Sequence, residues 1–142
     1  MSARRNSGAD TDSRRYYEWL DKAQADLQTA RILLSAGASP ASVVFHCHQV
    51  AEKALKGYLL YRENRHYDGH NITFLVRRAI KRDRAFAPFL EESPPFNRYY
   101  IETRYPTDLP FHIDADDIRD AFSMAEELYR LVAHKIFENL KA

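Results

Sequence analysis

Apolar residues recur at the spacing of an α-helix along most of the chain. Their period lies between three and four residues, and no segment alternates with period two for long enough to form a strand. The pattern therefore predicts an all-α fold: an up-and-down antiparallel bundle of four main helices plus one short helix. The predicted helices cover residues 13–36, 40–62 and 72–84, a short segment within 96–105, and a long last stretch from about 115.

Polar and turn-forming residues predict where these helices begin and end. Asp12, Asn71 and Asp114 precede predicted helices and can each accept hydrogen bonds from the open amides of a first turn. Gly37 suits the left-handed residue that closes the first helix. The Ser-Pro pair at residues 39–40 is typical of a cap followed by a first helical residue, so the first link is very short.

Composition places the chain among ordinary globular proteins. Its 142 residues are 45% hydrophobic and 29% charged, which allows one domain with a core and argues against wholesale disorder. Residues 1–12 are almost without apolar side chains and are expected to form a disordered tail, which leaves residues 13–142 as a single domain. Since no run reaches the roughly 18 apolar residues of a membrane span and no signal peptide is recognisable, a cytoplasmic location is expected.

The net charge of +1 gives the whole molecule no strong attraction for nucleic acid or lipid, so a polyanion site must be a local patch. The third predicted helix has a strongly basic polar face, a pattern that most often belongs to solvated surface. The single cysteine, Cys47, lies on the apolar side of the second helix and is expected to be an inert core thiol. His46 and His48 lie about 200° apart around that helix and cannot share an ion. His66 and His70 could meet across their loop, but no carboxylate or thiol spacing completes a set of ligands, so no metal is expected, and no cofactor is predicted.

The polar edge of the second helix is the strongest candidate for a binding site. Four of its side chains fall within an arc of roughly 80°. With Arg104 and Tyr105 of a later RYP turn, they combine cations that can hold a phosphate with a ring that can stack on a base. The alternative is that the lysines are solvated and that Glu52 forms an ordinary ion pair within the helix. The four residues are His46, Gln49, Lys53 and Lys56.

Histidine and tyrosine residues add two weaker candidates. His70 lies just before the third helix, where it is expected to cap or pack more often than to contact a ligand. Tyr99, Tyr100 and Tyr105 form either a stacking platform or packing at the end of the bundle, and packing is the commoner use.

The run VVFHCHQVAEKALKGYLL, followed by His70 and then by TRYPTD before a last helix, resembles the HEPN domain family of bacteria and archaea. The likeness covers about residues 15–138. It implies a helical bundle that is commonly a homodimer and is often encoded beside a minimal nucleotidyltransferase. Some members are metal-independent ribonucleases of toxin-antitoxin systems, whereas others are thought to bind nucleotides or to act as non-catalytic partners.

The ribonuclease branch of that family has an arginine followed four to six residues later by a histidine near the start of the last helix. In this chain seven residues separate Arg104 from His112, and Pro106 and Pro110 interrupt the segment. The first hypothesis is therefore a non-catalytic module that binds a nucleotide or RNA phosphate and acts with a nucleotidyltransferase in a toxin-antitoxin-like pair. The alternatives are a metal-independent ribonuclease that uses Arg104 with His112 or His70, and a purely structural dimerisation module. In the last case exposed apolar residues, among them Phe86, Phe89, Phe96 and Phe111, are expected to pair subunits.

Overall fold

The structure, a computed structural model, describes residues 11–102 and 112–141, and every regular element within them is helical. The prediction of an all-α fold is confirmed, while the up-and-down antiparallel order stays a prediction. Most of the predicted tail, residues 1–10, lies outside the described part. The elements are α1 (Tyr16–Ser35), α2 (Pro40–Glu63), α3 (Ile72–Arg82), a 3₁₀ helix (Arg84–Phe89), α4 (Pro94–Glu102) and α5 (Ala115–Lys141).

Helix α2 lies at the centre of the fold and packs against α1, α3, α4 and α5. Between Val50 and Leu60 every residue except Lys53 is buried, so neighbouring helices cover this segment on almost all sides. Each polar side chain on a helix that is covered in this way needs a hydrogen-bond partner within the protein. The polar side chains of α2 are therefore expected to form hydrogen-bond networks with the neighbouring elements.

Several of the predicted helix ends are confirmed. Asn71 Oδ1 accepts a hydrogen bond from the Phe74 amide at 2.9 Å at the start of α3. Asp114 Oδ1 accepts from the Asp117 amide at 2.8 Å at the start of α5. Gly37 follows α1 with a φ of 69°, a conformation that glycine adopts without strain. These ends were predictable because each depends on a short local pattern.

The predicted cap of α1 is wrong. The helix begins at Tyr16, three residues later than predicted, and Asp12 does not cap it. Ser13 organises the entry instead, because its Oγ accepts from the Arg15 amide at 3.0 Å and donates to Glu18 Oε1 at 2.6 Å. Spacing alone does not choose between two polar residues that lie so close together in sequence.

Two further ends differ in detail from the prediction. Ser39 occupies the cap position of α2, but its side chain makes no capping hydrogen bond. Helix α3 ends at Arg82 rather than at residue 84, because Asp83 turns the backbone into an extended conformation. The side chain of Asp83 then accepts from the Ala85 amide at 2.9 Å and starts the 3₁₀ helix, which was not predicted.

Cys47 is fully buried, and burial raises the pKa of its thiol to about 12. It therefore stays a protonated core residue at neutral pH, as the sequence predicted. None of the helices that the structure describes is both long enough and apolar enough to cross a membrane.

The expectation that Phe86, Phe89 and Phe96 are exposed and pair subunits is wrong, because all three are buried in the core of the domain. Phe111 lies outside the described residues.

Candidate functional site

A buried carboxylate, Glu52, organises the polar side of α2. Lys56 Nζ donates to Glu52 Oε2 at 2.7 Å, and Nδ1 of His70 lies 3.0 Å from Oε1. Only 6% of Glu52 and 8% of Lys56 is exposed. Burial acts to raise the pKa of Glu52, but Lys56 and His70 outweigh it and hold the pKa below its ordinary value. The carboxylate is therefore ionised at neutral pH and binds two groups at once.

His48 is the second buried polar group of the site. Its Nε2 lies 2.9 Å from the carbonyl oxygen of His70, and Gln49 Nε2 lies 3.3 Å from its Nδ1. Because a carbonyl only accepts, the proton of the ring belongs on Nε2, and the Gln49 amide donates to the bare Nδ1. Burial is the main cause that lowers the pKa of His48, so the ring is neutral at neutral pH. This arrangement fixes the backbone of the segment that presents His70.

His70 stands where the buried network reaches the surface. Its ring lies parallel to that of Tyr100, with the two centroids 4.0 Å apart, and 46% of its side chain is exposed. His70, Asn71, Asn97 and Tyr100 line a pocket of about 270 Å³ at the start of α3. Since Glu52 engages Nδ1, the Nε2 atom of His70 remains for a ligand; it has no hydrogen bond to the described residues.

The rest of the pocket is anchored by side-chain hydrogen bonds. Asn97 Oδ1 accepts from the Ile72 amide at 2.7 Å, and Asn97 Nδ2 donates to Thr73 Oγ1 at 3.2 Å, so α4 is tied to the first turn of α3. Asn71 Oδ1 is used in capping, which leaves its NH₂ group as a donor. The pocket thus offers an amide donor and an imidazole nitrogen held in place by their neighbours.

The predicted site residues of α2 fall into two groups rather than one cluster. His46 Nδ1 lies 3.0 Å from Asp26 Oδ1, and Lys53 Nζ donates to Asp26 Oδ2 at 2.7 Å, so these two share a carboxylate of α1. Gln49 and Lys56 belong to the second group, around His48 and Glu52. Of the predicted α2 residues, none lines the small pocket at His70.

A larger cavity of about 630 Å³ lies beside α1, with Lys53 at one side. Its lining also includes Lys22 and the carboxylates of Asp12, Glu18 and Asp21, and Lys53 is already paired with Asp26, so the carboxylates outnumber the lysines and repel a phosphate. Despite its size it is therefore a poor site for a nucleotide, and the smaller pocket is the better candidate.

Arg104 and Tyr105 lie outside the described residues, so their predicted place beside α2 stays a prediction. His112 is exposed ahead of α5 and makes no hydrogen bond or ion pair within the part of the chain that is described. Of the other two tyrosines of the predicted stacking platform, Tyr99 is buried in the core and Tyr100 stacks on His70. No group of three His, Cys, Asp or Glu residues among those described is arranged to hold a metal ion.

The sequence analysis missed His48 and Asp26 as members of these networks. His48 falls on the apolar side of α2, and its partner is a backbone carbonyl that no side-chain pattern reveals. Asp26 belongs to a different helix from the two residues that it binds. Both partnerships depend on contacts between elements, which spacing along one helix does not report.

The model of the HEPN domain matches residues 16–136 of the chain. Among solved structures, TT1696 from Thermus thermophilus is 29% identical, with a TM-score of 0.73 over 87% of this chain and 99% of that one. The archaeal HEPN homologue ST0689 is 26% identical, with a TM-score of 0.66 over 86% of this chain and 98% of that one. No curated protein matches the sequence.

Proposed function

The chain belongs to the HEPN domain family, and we propose that it is a non-catalytic module that binds a nucleotide or an RNA phosphate. The proposed site is the pocket lined by His70, Asn71, Asn97 and Tyr100, with Glu52 beneath it. The observation that carries the proposal is the way in which the His70 ring is held in place. This half-exposed ring is fixed by a buried carboxylate and by a stacked tyrosine, so it meets a ligand already oriented.

The electrostatics of the pocket favour an anion. It lies at the start of α3, where the helix dipole places partial positive charge. The carboxylate of Glu52 is already balanced by Lys56. The exposed side of His70 can stack on a base or, when protonated, face a phosphate. These properties suit a nucleotide better than they suit a neutral metabolite.

The test is a titration of the purified protein with ATP and with short RNAs at two salt concentrations. We expect saturable binding that weakens at least about tenfold in His70→Ala, because a well-placed contact to a charged group contributes roughly 1.5–3 kcal/mol. The matched control is His134→Ala, which removes a histidine exposed on α5. A failure of the wild-type protein to bind, or equal affinity in His70→Ala and the control, contradicts the proposed site.

A second candidate function is the metal-independent ribonuclease, and the contact between Glu52 and His70 favours it. A carboxylate that holds Nδ1 leaves Nε2 free to take or give a proton, the arrangement found where histidine acts as a general base. Arg104 would stabilise the developing negative charge on the phosphate. Incubation with tRNA in EDTA separates the two functions: cleavage lost in His70→Ala and in Arg104→Ala, but kept in His112→Ala, supports an enzyme that uses His70.

We further propose that the protein forms a homodimer, as the family resemblance implies. Leu34, 40% exposed, lines an apolar groove with Ile118 and Phe122 between the end of α1 and the start of α5. A second copy packed on this groove would cover that apolar surface. The resemblance also supports pairing with a minimal nucleotidyltransferase in a toxin-antitoxin-like system. Co-purification with the product of a neighbouring nucleotidyltransferase gene tests that pairing.

A further inference from the structure

The outer face of α3 serves neither the core nor the pocket. It exposes Phe74, with 45% of its surface open, together with Arg77 and Lys81. Their spacing of three and four residues puts the three side chains within an arc of roughly 60° on one side of the helix. The apolar side of the helix is already used, because the core buries Ile72, Leu75, Val76 and Ala79.

Positive charge is concentrated around this helix. Residues 61–84 contain seven Lys and Arg residues against three Asp and Glu residues, a net charge of +4 in a chain whose total is +1. Glu63 is already paired, since Arg82 Nε donates to it at 2.7 Å. Arg77 and Lys81 make no hydrogen bond or ion pair with residues 11–102 or 112–141. Their charges are therefore available to an external anion.

Aromatic contacts place further cations beside the exposed phenyl ring. The Tyr67 ring meets Phe74 edge to face, with the two centroids 5.9 Å apart. The guanidinium carbon of Arg65 lies 4.7 Å from the centre of the Tyr67 ring, and that of Arg78 lies 5.3 Å from it. An exposed ring among cations is the combination that holds unpaired bases by stacking and their phosphates by charge.

We propose that the face of Phe74, Arg77 and Lys81 binds a single strand of RNA that continues from the pocket at His70. Lys81 lies ten positions after Asn71, roughly 15 Å along the helix axis. A helical strand advances about 3.4 Å per nucleotide, so a ligand that touches both ends has several nucleotides. The inference deepens the proposed function and rests on it for the nucleotide held in the pocket.

An anionic membrane is the main competing ligand, and the structure disfavours it. A helix that lies in a membrane surface buries a broad apolar face among the lipids. In α3 that face is buried in the core of the protein, and Phe74 is the one large apolar residue that the helix exposes. A single ring among cations suits an unpaired base better than it suits a lipid layer.

The test compares a labelled mononucleotide with a single-stranded RNA of about 12 nucleotides by fluorescence anisotropy at several salt concentrations. The variant Arg77→Gln with Lys81→Gln is expected to weaken RNA binding on the order of tenfold and to reduce its salt slope by about 1.4. Phe74→Ala is expected to weaken it roughly fivefold or more. Binding of the mononucleotide should not change in either variant. The matched control, Lys22→Gln with Arg130→Gln, removes two exposed cations, one on α1 and one on α5, that lie outside both proposed sites.

The possible outcomes distinguish RNA binding on the α3 face from nucleotide binding in the pocket at His70. If RNA binds no more tightly than the mononucleotide, or if the α3 variant binds RNA as tightly as the control does, the proposed RNA contact on α3 is overturned. The pocket is then supported only if the mononucleotide binds. If RNA binds but the mononucleotide does not, and the α3 variant loses RNA binding, RNA binding on the α3 face is supported and nucleotide binding in the pocket is contradicted. Binding to phosphatidylserine vesicles at least as tight as to RNA, and dependent on Phe74, overturns the choice of ligand. No binding of either nucleic-acid probe overturns both proposals.

Discussion

Glu52 Oε1 lies 3.0 Å from Nδ1 of His70, so a carboxylate buried in α2 fixes the ring that stands at the start of α3. The same carboxylate is the partner of Lys56, which is itself nearly buried. The stability of the core and the orientation of the candidate site therefore depend on one side chain. A substitution there should change both, which distinguishes this contact from an ordinary surface ion pair.

Glu52→Gln is expected to lower the free energy of unfolding by about 3–5 kcal/mol, because it leaves the buried ammonium of Lys56 without a counter-charge. Urea unfolding followed by circular dichroism measures the change. The control is Glu126→Gln, which loses ion pairs with the half-exposed Arg31 and the largely exposed Arg130 and should cost less than about 1 kcal/mol. An equal loss of unfolding free energy in the two variants would show that the ion pair of Glu52 and Lys56 contributes no more than a surface contact.

Much of the fold was predictable from the sequence because helix periods and caps are local signals. Asn71 and Asp114 were identified as caps from their own neighbourhoods, and the structure has both. The candidate site was less predictable, because its members come from α2, the loop before α3, and α4. His70 was singled out, but its bond to Glu52 and its stack on Tyr100 join residues 18 and 30 positions away along the chain.

The pH dependence of stability should reveal the buried neutral ring of His48. Since burial lowers its pKa in the folded state below the ordinary value of 6.5, the unfolded chain binds a proton first as the pH falls. The stability contributed by the neutral ring is complete above pH 6.5 and is lost as the pH falls from there towards the lower folded pKa. Thermal unfolding between about pH 7.5 and about pH 5.5 should therefore show a smaller fall in Tm for His48→Gln than for the wild-type protein.

The control for this measurement is His134→Gln, because His134 is largely exposed on α5. This variant should follow the wild-type pH profile. If His48→Gln loses Tm with falling pH as steeply as the wild-type protein does, the source of the dependence lies elsewhere.

Gly57→Ala is expected to destabilise the protein although alanine is the better helix former by about 1 kcal/mol. An added Cβ would lie 3.1 Å from Trp19 Cβ and 3.3 Å from the carbonyl oxygen of Tyr16, so α1 would have to move away from α2. Overpacking of this kind costs typically about 1–3 kcal/mol, and backbone cannot yield as a flexible side chain does. Urea unfolding should show a net loss, whereas Ser42→Ala, at an exposed position of the same helix, should be nearly neutral. A gain in stability from Gly57→Ala would mean that the two helices separate at little cost.

Leu34→Glu is expected to convert the proposed homodimer into a monomer, because it places a charge in the apolar groove that Leu34 forms with Ile118 and Phe122. Light scattering coupled to size-exclusion chromatography measures the mass at micromolar concentration. Ile32→Glu is the matched control: Ile32 is 67% exposed on the same helix, does not line the groove, and points about 200° away from Leu34. A monomeric wild-type protein would contradict the dimer itself. A dimer that survives Leu34→Glu but not Ile32→Glu would place the interface on the opposite side of α1.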